Sequence, residues 1–214
     1  KDLVPRAHLF ERLNHGLLRG GSFERRLTLV AAPAGYGKTT LVVNWLQEQP
    51  SRVAWLSLEE NDNDPSRFLI YLIAAIRQVQ TGFGGQIEGM LRSPQPLPAD
   101  IILTALNNEL AAVATPFFLV LDDYHCIHNQ TIHQYLTFLL DHAPACLNIV
   151  ITTREDPLLP VARLRARGQI LEMRQDELRF NQSEISDFLR RVMGLDLTEE
   201  EIVALEQRTE GWIA

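Results

Sequence analysis

Cysteine is scarce: Cys126 and Cys146 are the only two in 214 residues, with no C-x-x-C pair and no secretory spacing around them. A disulfide framework is excluded, and both read as reduced packing residues. No apolar run approaches the roughly 18 residues that a membrane helix needs, and Lys1-Asp2-Leu3-Val4-Pro5-Arg6 lacks the apolar stretch of a signal peptide. No membrane partner is expected, and a cytoplasmic location is. Positive charge is also short, with 20 Lys and Arg against 27 Asp and Glu and a net charge of −7, which disfavours DNA binding by this segment. Gly and Pro stay at 12 and 11 residues, too few for a low-complexity chain. With 46% hydrophobic residues the sequence can bury a core. It opens without Met and stops at Trp212-Ile213-Ala214 with no terminating signal, as expected for a piece of something longer.

Five short apolar, β-branched runs predict strands: Leu27 to Ala31, Val53 to Leu58, Phe117 to Leu121, Ile149 to Thr153 and Ile170 to Met173. The third and fourth are almost continuously apolar, as in parallel strands covered on both faces. Helix-period segments lie between them, at Thr39 to Gln47, after the Asp64-Pro65 start signal, through Ile102 to Val113 and through Ile132 to Leu140. Strand and helix alternate, so the fold class is α/β. Gln80 to Pro98, with four glycines and three prolines, predicts a surface excursion. After Arg174 two capped helices are expected, opened by Asn181 with Glu184 and by Thr198 with Glu201.

The segment Ala32-Pro33-Ala34-Gly35-Tyr36-Gly37-Lys38-Thr39-Thr40 follows a strand and opens a helix, the context a phosphate-binding loop requires. Gly35 and Gly37 let consecutive N–H groups point into one concavity, and the helix N-terminus adds its positive end. Lys38 can reach the β- and γ-phosphates of ATP, and the Thr39 hydroxyl can hold Mg²⁺. Ala32 stands where the G-x-x-x-x-G-K-[ST] pattern has its first glycine. Asp122 and Asp123 close the strand Phe117 to Leu121: the first is placed for Mg²⁺ through its water shell, the second to orient or deprotonate an attacking water. Arg154, after Thr152-Thr153, is the candidate sensor of the γ-phosphate, since a guanidinium binds phosphate oxygens bidentately. A surface Arg–Glu pair with Glu155 is the plain alternative.

Other clusters read more simply. His125, His128, His133 and Cys126 straddle a turn and form no four-ligand metal set, although His125 could relay a hydrogen bond near the γ-phosphate. Glu59, Glu60, Asp62 and Asp64 read as a solvated loop ending in a helix cap. Arg163, Arg165 and Arg167 read as the charged end of a short helix, with an arginine finger toward a neighbouring subunit as the alternative.

The ordered series GYGKTTLVVNW, WLSLEENDNDPSRFLIYLIAAI, LVLDDYHCIHNQTIH, VITTRED, RLRARGQILEMR and TEGW resembles the nucleotide-binding module of MalT-like, LuxR-type transcriptional regulators of the STAND class. The resemblance implies a P-loop core with a five-stranded, mainly parallel sheet in the order 5-1-4-3-2. It implies residues 1–174 as the nucleotide-binding domain, with 1–26 a strap and lead-in helix, and 175–214 as the start of a helical domain. Gly35, Tyr36, Gly37, Lys38, Thr39 and Thr40 are the implied phosphate loop, Asp122 and Asp123 Walker B, Arg154 the sensor, and Val4, Pro5 and Arg6 a strap over the base with Arg6 its polar contact. Implied partners are ATP or ADP with Mg²⁺, further copies of the chain in the ATP form, and DNA only through a C-terminal domain outside this sequence. Slow hydrolysis would reset the switch. Asp123 stands where many relatives of the broader superfamily carry Glu, and the shorter reach implies inefficient water activation. Two other readings compete: a small-molecule kinase on the same core, which would need 80 to 98 as a lid, and an interaction module whose nucleotide site is vestigial.

Overall fold

The computed structural model describes residues 4, 6–93, 97–195, 197, 198, 201, 202 and 205. Helix α1 (Ala7–Asn14) buries Leu9 and Leu13, and a two-residue-strand hairpin, Leu18–Arg19 with Ser22–Phe23, leads into the sheet. The sheet strands are β1 (Leu27–Ala31), β2 (Arg52–Ser57), β3 (Phe117–Asp122), β4 (Leu147–Thr153) and β5 (Ile170–Arg174). All are parallel, in the spatial order β2-β3-β4-β1-β5. Read from the other edge this is 5-1-4-3-2, the order the resemblance implied. Because the strands are parallel, the turns after β1, β3, β4 and β5 emerge along one edge, so residues far apart in sequence can serve one site.

The central strands explain their near-continuous apolarity by facing two cores. Leu27, Leu29, Leu119, Leu121, Ile149 and Ile151 face one layer, and Val30, Phe118, Val120 and Val150 the other. The first layer is covered by α3 (Pro65–Arg77), α4 (Gly85–Leu91), α5 (Ala99–Ala111) and α6 (Gln130–His142). The second is covered by α1 and by α2 (Lys38–Gln47), whose fully buried Trp45 meets Phe118 edge-on at 5.2 Å. Trp45 Nε1 donates to Asn14 Oδ1 at 2.8 Å, tying α2 to α1. Full burial of such a ring contributes about 3 kcal/mol, so α2 is held by packing as much as by its own backbone bonds. At α3, the Asp64 carboxylate accepts from Arg67 N at 2.8 Å and Pro65 occupies the first turn, as the start signal predicts.

The stretch 80–98 departs from its expected surface excursion. It contains α4, and Phe83 and Ile87 are buried in the first core. Gly84 makes this possible: its φ is +76°, and an added Cβ would lie 2.3 Å from Ile73 Cγ2, so the chain passes where only glycine fits. Gly84 N donates to Glu109 at 2.6 Å and Arg77 pairs with Glu88 at 2.7 Å.

Past β4, the short α7 (Val161–Ala166) carries Arg163, whose Nη2 donates to both oxygens of Asp141 at 2.7 Å, and Arg165, bound bidentately to Glu172. These two arginines are engaged within the chain, which supports the charged-helix-end reading over the finger. After β5 come α8 (Gln175–Leu178) and α9 (Gln182–Asp187), the latter continuing as a π turn over Phe188–Val192 and ending near Gly194, φ +67°. Asn181 and Glu184 cap α9 reciprocally at 3.0 and 2.9 Å, and Thr198 and Glu201 do the same further on. Ile185, Leu189 and Ile202 form a small core of their own.

Candidate functional site

The loop between β1 and α2 bends through Gly35 and Gly37, at φ of +83° and +69°, conformations that side chains rarely adopt. Ala32 has no positive φ among the described residues and is buried, with its N–H bonded to Thr153 O at 3.2 Å. The position tolerates a Cβ, so the missing first glycine costs the loop nothing. Lys38 opens α2 and is 7% exposed, its Nζ donating to Pro33 O at 3.0 Å across the loop. Burial pushes its pKa down from the ordinary lysine value, with Arg154 acting in the same direction and Asp123 and Asp122 against it. A polyanion in the loop would supply the missing counter-charge.

Strand β3 brings the carboxylates to this loop. Asp122 Oδ1 accepts from Thr39 Oγ1 at 2.9 Å and from Thr152 Oγ1 at 2.5 Å, and Oδ2 accepts no hydrogen bond among the described residues. A hydroxyl and a carboxylate, both hard oxygen donors, thus meet beside the phosphate loop, a donor set that suits Mg²⁺. Asp123 turns away from the strand at φ +57°, the one positive φ outside glycine among the described residues. Asp is among the few residues that tolerate this conformation. Its N–H is held by Thr152 Oγ1 at 2.9 Å. Asp122 is buried while the Asp123 side chain is 46% exposed, so the first is fixed and the second can meet water.

Thr152, at the end of β4, therefore orients both aspartates. Sequence reasoning assigned it no role; its signal was a hydroxyl residue inside a fully buried apolar strand. Arg154 follows it on an exposed turn and forms no hydrogen bond or ion pair with a described side chain, so its plain alternative, a pair with Glu155, is absent among the described residues. Its charge reaches both Lys38 and His125. His125 Nδ1 lies 3.6 Å from Asp123 Oδ1, beyond hydrogen-bonding distance, and is buried without a partner. Burial first, and then the Arg154 charge, hold its pKa below the usual histidine value. No group of three or more His, Cys, Asp or Glu that could hold a metal occurs among the described residues.

Beside the phosphate loop lies a cavity of about 700 Å³. Gly35, Tyr36, Gly37 and Thr40 line its phosphate end, Val4 and Phe10 one wall, and Phe180, Phe188 and Val192 the other. The wall after β5 is fastened to the core: Gln175 Nε2 donates to the Tyr36 hydroxyl at 3.0 Å. The Arg6 guanidinium, expected to meet the base, lines this cavity and is buried against Glu184 at 3.0 and 3.2 Å. It also donates to the carbonyls of Leu178 and Arg179 at 2.9 and 2.8 Å and lies 4.7 Å over the Phe180 ring. Arg6 thus joins the strap to the far wall, because a buried guanidinium is stable only with its donors filled. Val4 lines the cavity; Pro5, with Thr209 to Trp212, lies outside the described residues.

No family profile matches the chain. Among curated proteins it is 38% identical over 187 residues to the HTH-type transcriptional regulator MalT of Yersinia enterocolitica, covering 87% of this chain and 21% of that protein. It is 39% identical over 188 residues to MalT of Yersinia pestis, with 88% and 21% covered. The chain thus spans about a fifth of the length of these relatives. Among solved structures, a Walker-type ATPase of Pyrococcus abyssi superposes with a TM-score of 0.59 at 18% identity, over 99% of this chain and 65% of that one. Cdc6p of Pyrobaculum aerophilum gives 0.56 at 18%, over 88% and 49%, and the Aeropyrum pernix ORC1 protein 0.55 at 14%, over 91% and 50%. These structural likenesses speak to the fold alone. Over the segment it shares with those regulators the chain is MalT-like, and its loop geometry and sheet order are those of the P-loop NTPase fold.

Proposed function

We propose that this chain is the nucleotide switch of a signal-responsive transcription activator, holding ADP at rest and ATP when active, with slow ATP hydrolysis as the reset. The observation that carries it is the cavity beside the phosphate loop, walled on one side by the strap and on the other by the segment after β5. A nucleotide with its phosphates at Lys38 and its base between Val4 and Phe180 would touch three parts of the chain at once. Its binding would then depend on how those parts are arranged, which is what a switch needs.

The residues divide the work. Loop N–H groups and Lys38 bind the phosphates, and Thr39 with Asp122 would hold Mg²⁺, which supplies charge neutralisation between the β- and γ-phosphates. Asp123, half-exposed, orients the attacking water and accepts its proton, and Arg154 binds the γ-phosphate until hydrolysis removes it. The segment from 175 onward begins a helical domain, and the ATP form self-associates in the whole protein. DNA contact belongs to a domain beyond this segment, in keeping with its net charge of −7. A cytoplasmic location follows from the regulatory reading; no helix among the described residues is long and apolar enough to cross a membrane.

The kinase reading loses its lid, because Phe83 and Ile87 anchor 80–93 into the core. The experiment is ATP turnover by wild type and Asp123→Asn, with binding measured in parallel. Wild type should hydrolyse ATP at or below about 1 s⁻¹, the low end of enzyme rates, and Asp123→Asn should bind ATP and keep it intact. Rapid phosphoryl transfer to a small acceptor, or equal turnover by both proteins, would contradict the proposal.

A further inference from the structure

The turn Glu60–Asn63 after β2 carries the acidic residues that read as a solvated loop, yet it is braced. Asp62 is buried and accepts from Glu59 N at 2.9 Å. Asn63 makes the brace reach further. Its Nδ2 donates to the carbonyls of Glu60 at 3.0 Å and Cys126 at 2.8 Å. Its Oδ1 accepts from the backbone N–H of His128 at 2.7 Å and of Asn129 at 3.0 Å. Asn129 Nδ2 returns a bond to the Asn63 carbonyl at 2.9 Å, while Asn129 Oδ1 caps α6 through Thr131 N. A primary amide has two N–H donors and two acceptor positions, so the Asn63 side chain is fully used. A flipped amide would aim donors at donors, so this orientation is the only one the partners allow.

What Asn63 grips is the backbone of the turn that follows Asp123. The upstream end of that turn is fixed by Thr39 and Thr152 on Asp122, and by Thr152 on the Asp123 N–H. Among the described residues, no side chain from outside the turn other than Asn63 bonds its downstream backbone. Between the two anchors sit Asp123, in its left-handed conformation, and the half-buried His125, whose Nδ1 is buried with no hydrogen-bond partner.

We propose that Asn63 is a positioning residue for ATP hydrolysis, clamping the turn so that Asp123 and His125 stay at the phosphate end of the site. The proposal rests on the hydrolysis reading above. Asn63 is distant in sequence from the phosphate loop and hydrogen-bonds to none of its described residues; it acts through Cys126, His128 and Asn129. Without the amide, two backbone N–H groups and two carbonyls, those of Glu60 and Cys126, lose their Asn63 partner, and the turn can relax. A shift of about 1 Å at a reacting group costs on the order of 10²-fold in rate.

The test compares wild type, Asn63→Ala and Asn129→Asp in the intact chain. It reads ATP turnover, ADP affinity, melting temperature and amide exchange at His128 and Asn129. Glu88→Ala, which breaks the distant pair with Arg77, controls for general destabilisation. In Asn63→Ala, kcat should fall about 10- to 100-fold while KM for ATP and Kd for ADP stay within about threefold, and both amides should exchange faster with β3 unchanged. Asn129→Asp keeps the α6 cap but turns the donor to Asn63 into a carboxylate oxygen that faces the Asn63 carbonyl, leaving the bonds of the Asn63 amide itself in place, so a smaller fall, about three- to tenfold, is expected; it carries the test if Asn63→Ala does not fold. Turnover within twofold of wild type in a folded variant would overturn the proposal, as would kcat and ADP affinity falling together in step with stability, as in the control. If wild type shows no turnover above Lys38→Ala, the hydrolysis reading fails by itself. Unchanged exchange at both amides would then overturn the clamp separately.

Discussion

Glu184 carries one end of the joint between strap and cavity wall, and its removal has a calculable cost. Its two oxygens bind Arg6 Nε and Nη2 at 3.0 and 3.2 Å, and both side chains are under 10% exposed. Deleting one member of a buried ion pair costs about 3–5 kcal/mol, because the remaining charge stays buried and unpaired. Here Arg6 would keep the carbonyls of Leu178 and Arg179 and the Phe180 ring, which favours the lower end. Glu184 Oε2 also accepts from Asn181 N, adding up to about 1 kcal/mol. Glu184→Ala should therefore cost about 3–4 kcal/mol, or roughly 6–16 °C in melting temperature for a chain of this size. Glu184→Gln keeps an acceptor for Asn181 and should cost less. Calorimetry should show ADP binding weakened about tenfold in Glu184→Ala, since Phe180, Phe188 and Val192 lose their seat against the strap. A cycle with Arg6→Met should give a coupling of at least about 1.5 kcal/mol. Additivity within about 0.5 kcal/mol, or a melting temperature within 2 °C or so of wild type, would refute the joint.

Three further perturbations are separable from that one. Gly84→Ala adds the strain of a left-handed conformation, about 1–2 kcal/mol, to a collision with Ile73, whereas Gly82→Ala, φ +83° with open space around it, adds the strain alone; equal melting losses would refute the close approach. Thr152→Val removes the hydroxyl that orients Asp122 and holds the Asp123 N–H, so ATP turnover should fall at least about tenfold with ADP affinity in chelator unchanged, and unaltered turnover would deny Thr152 that role. His133 Nδ1 meets the Tyr124 hydroxyl at 2.6 Å, and burial, aided by His128, holds its pKa below the unfolded value near 6.5. The unfolded chain then binds the proton first, so stability is lost as pH falls through about 6.5 toward the lower folded value and does not change above about 7.5 on this account. Melting of His133→Gln at pH 7.5 and 5.5 should show a shallower loss than wild type, and identical slopes would refute the linkage.

The strands were legible because β-branched apolar runs facing two cores leave no polar period to confuse them. Their spatial order was not, since periodicity does not rank strands across a sheet; it came from resemblance. Lys38, Thr39, Asp122 and Asp123 could be singled out because their chemistry is local to two strand ends. What the sequence left unmarked shares a cause, which is contact across long sequence separation. Arg6 finds Glu184 178 residues away, and no local pattern marks a buried pair at that distance. Glycines near 82 to 89 read as a loose surface segment, yet Gly84 is there so that Phe83 and Ile87 can reach Ile73 and the core. Thr152 looked like a polar strand end until β3 and β4 paired and put its hydroxyl between the two aspartates.

The most direct test of the switch reading is the nucleotide content of freshly purified protein. The wild type and Lys38→Ala would be denatured and the supernatants resolved by ion exchange. The account predicts near-stoichiometric ADP released from wild type and little from Lys38→Ala, since the variant loses the buried ammonium that faces the phosphates. Wild type that carries no nucleotide and takes up neither ATP nor ADP, or a Lys38→Ala protein that carries as much as wild type, would contradict it.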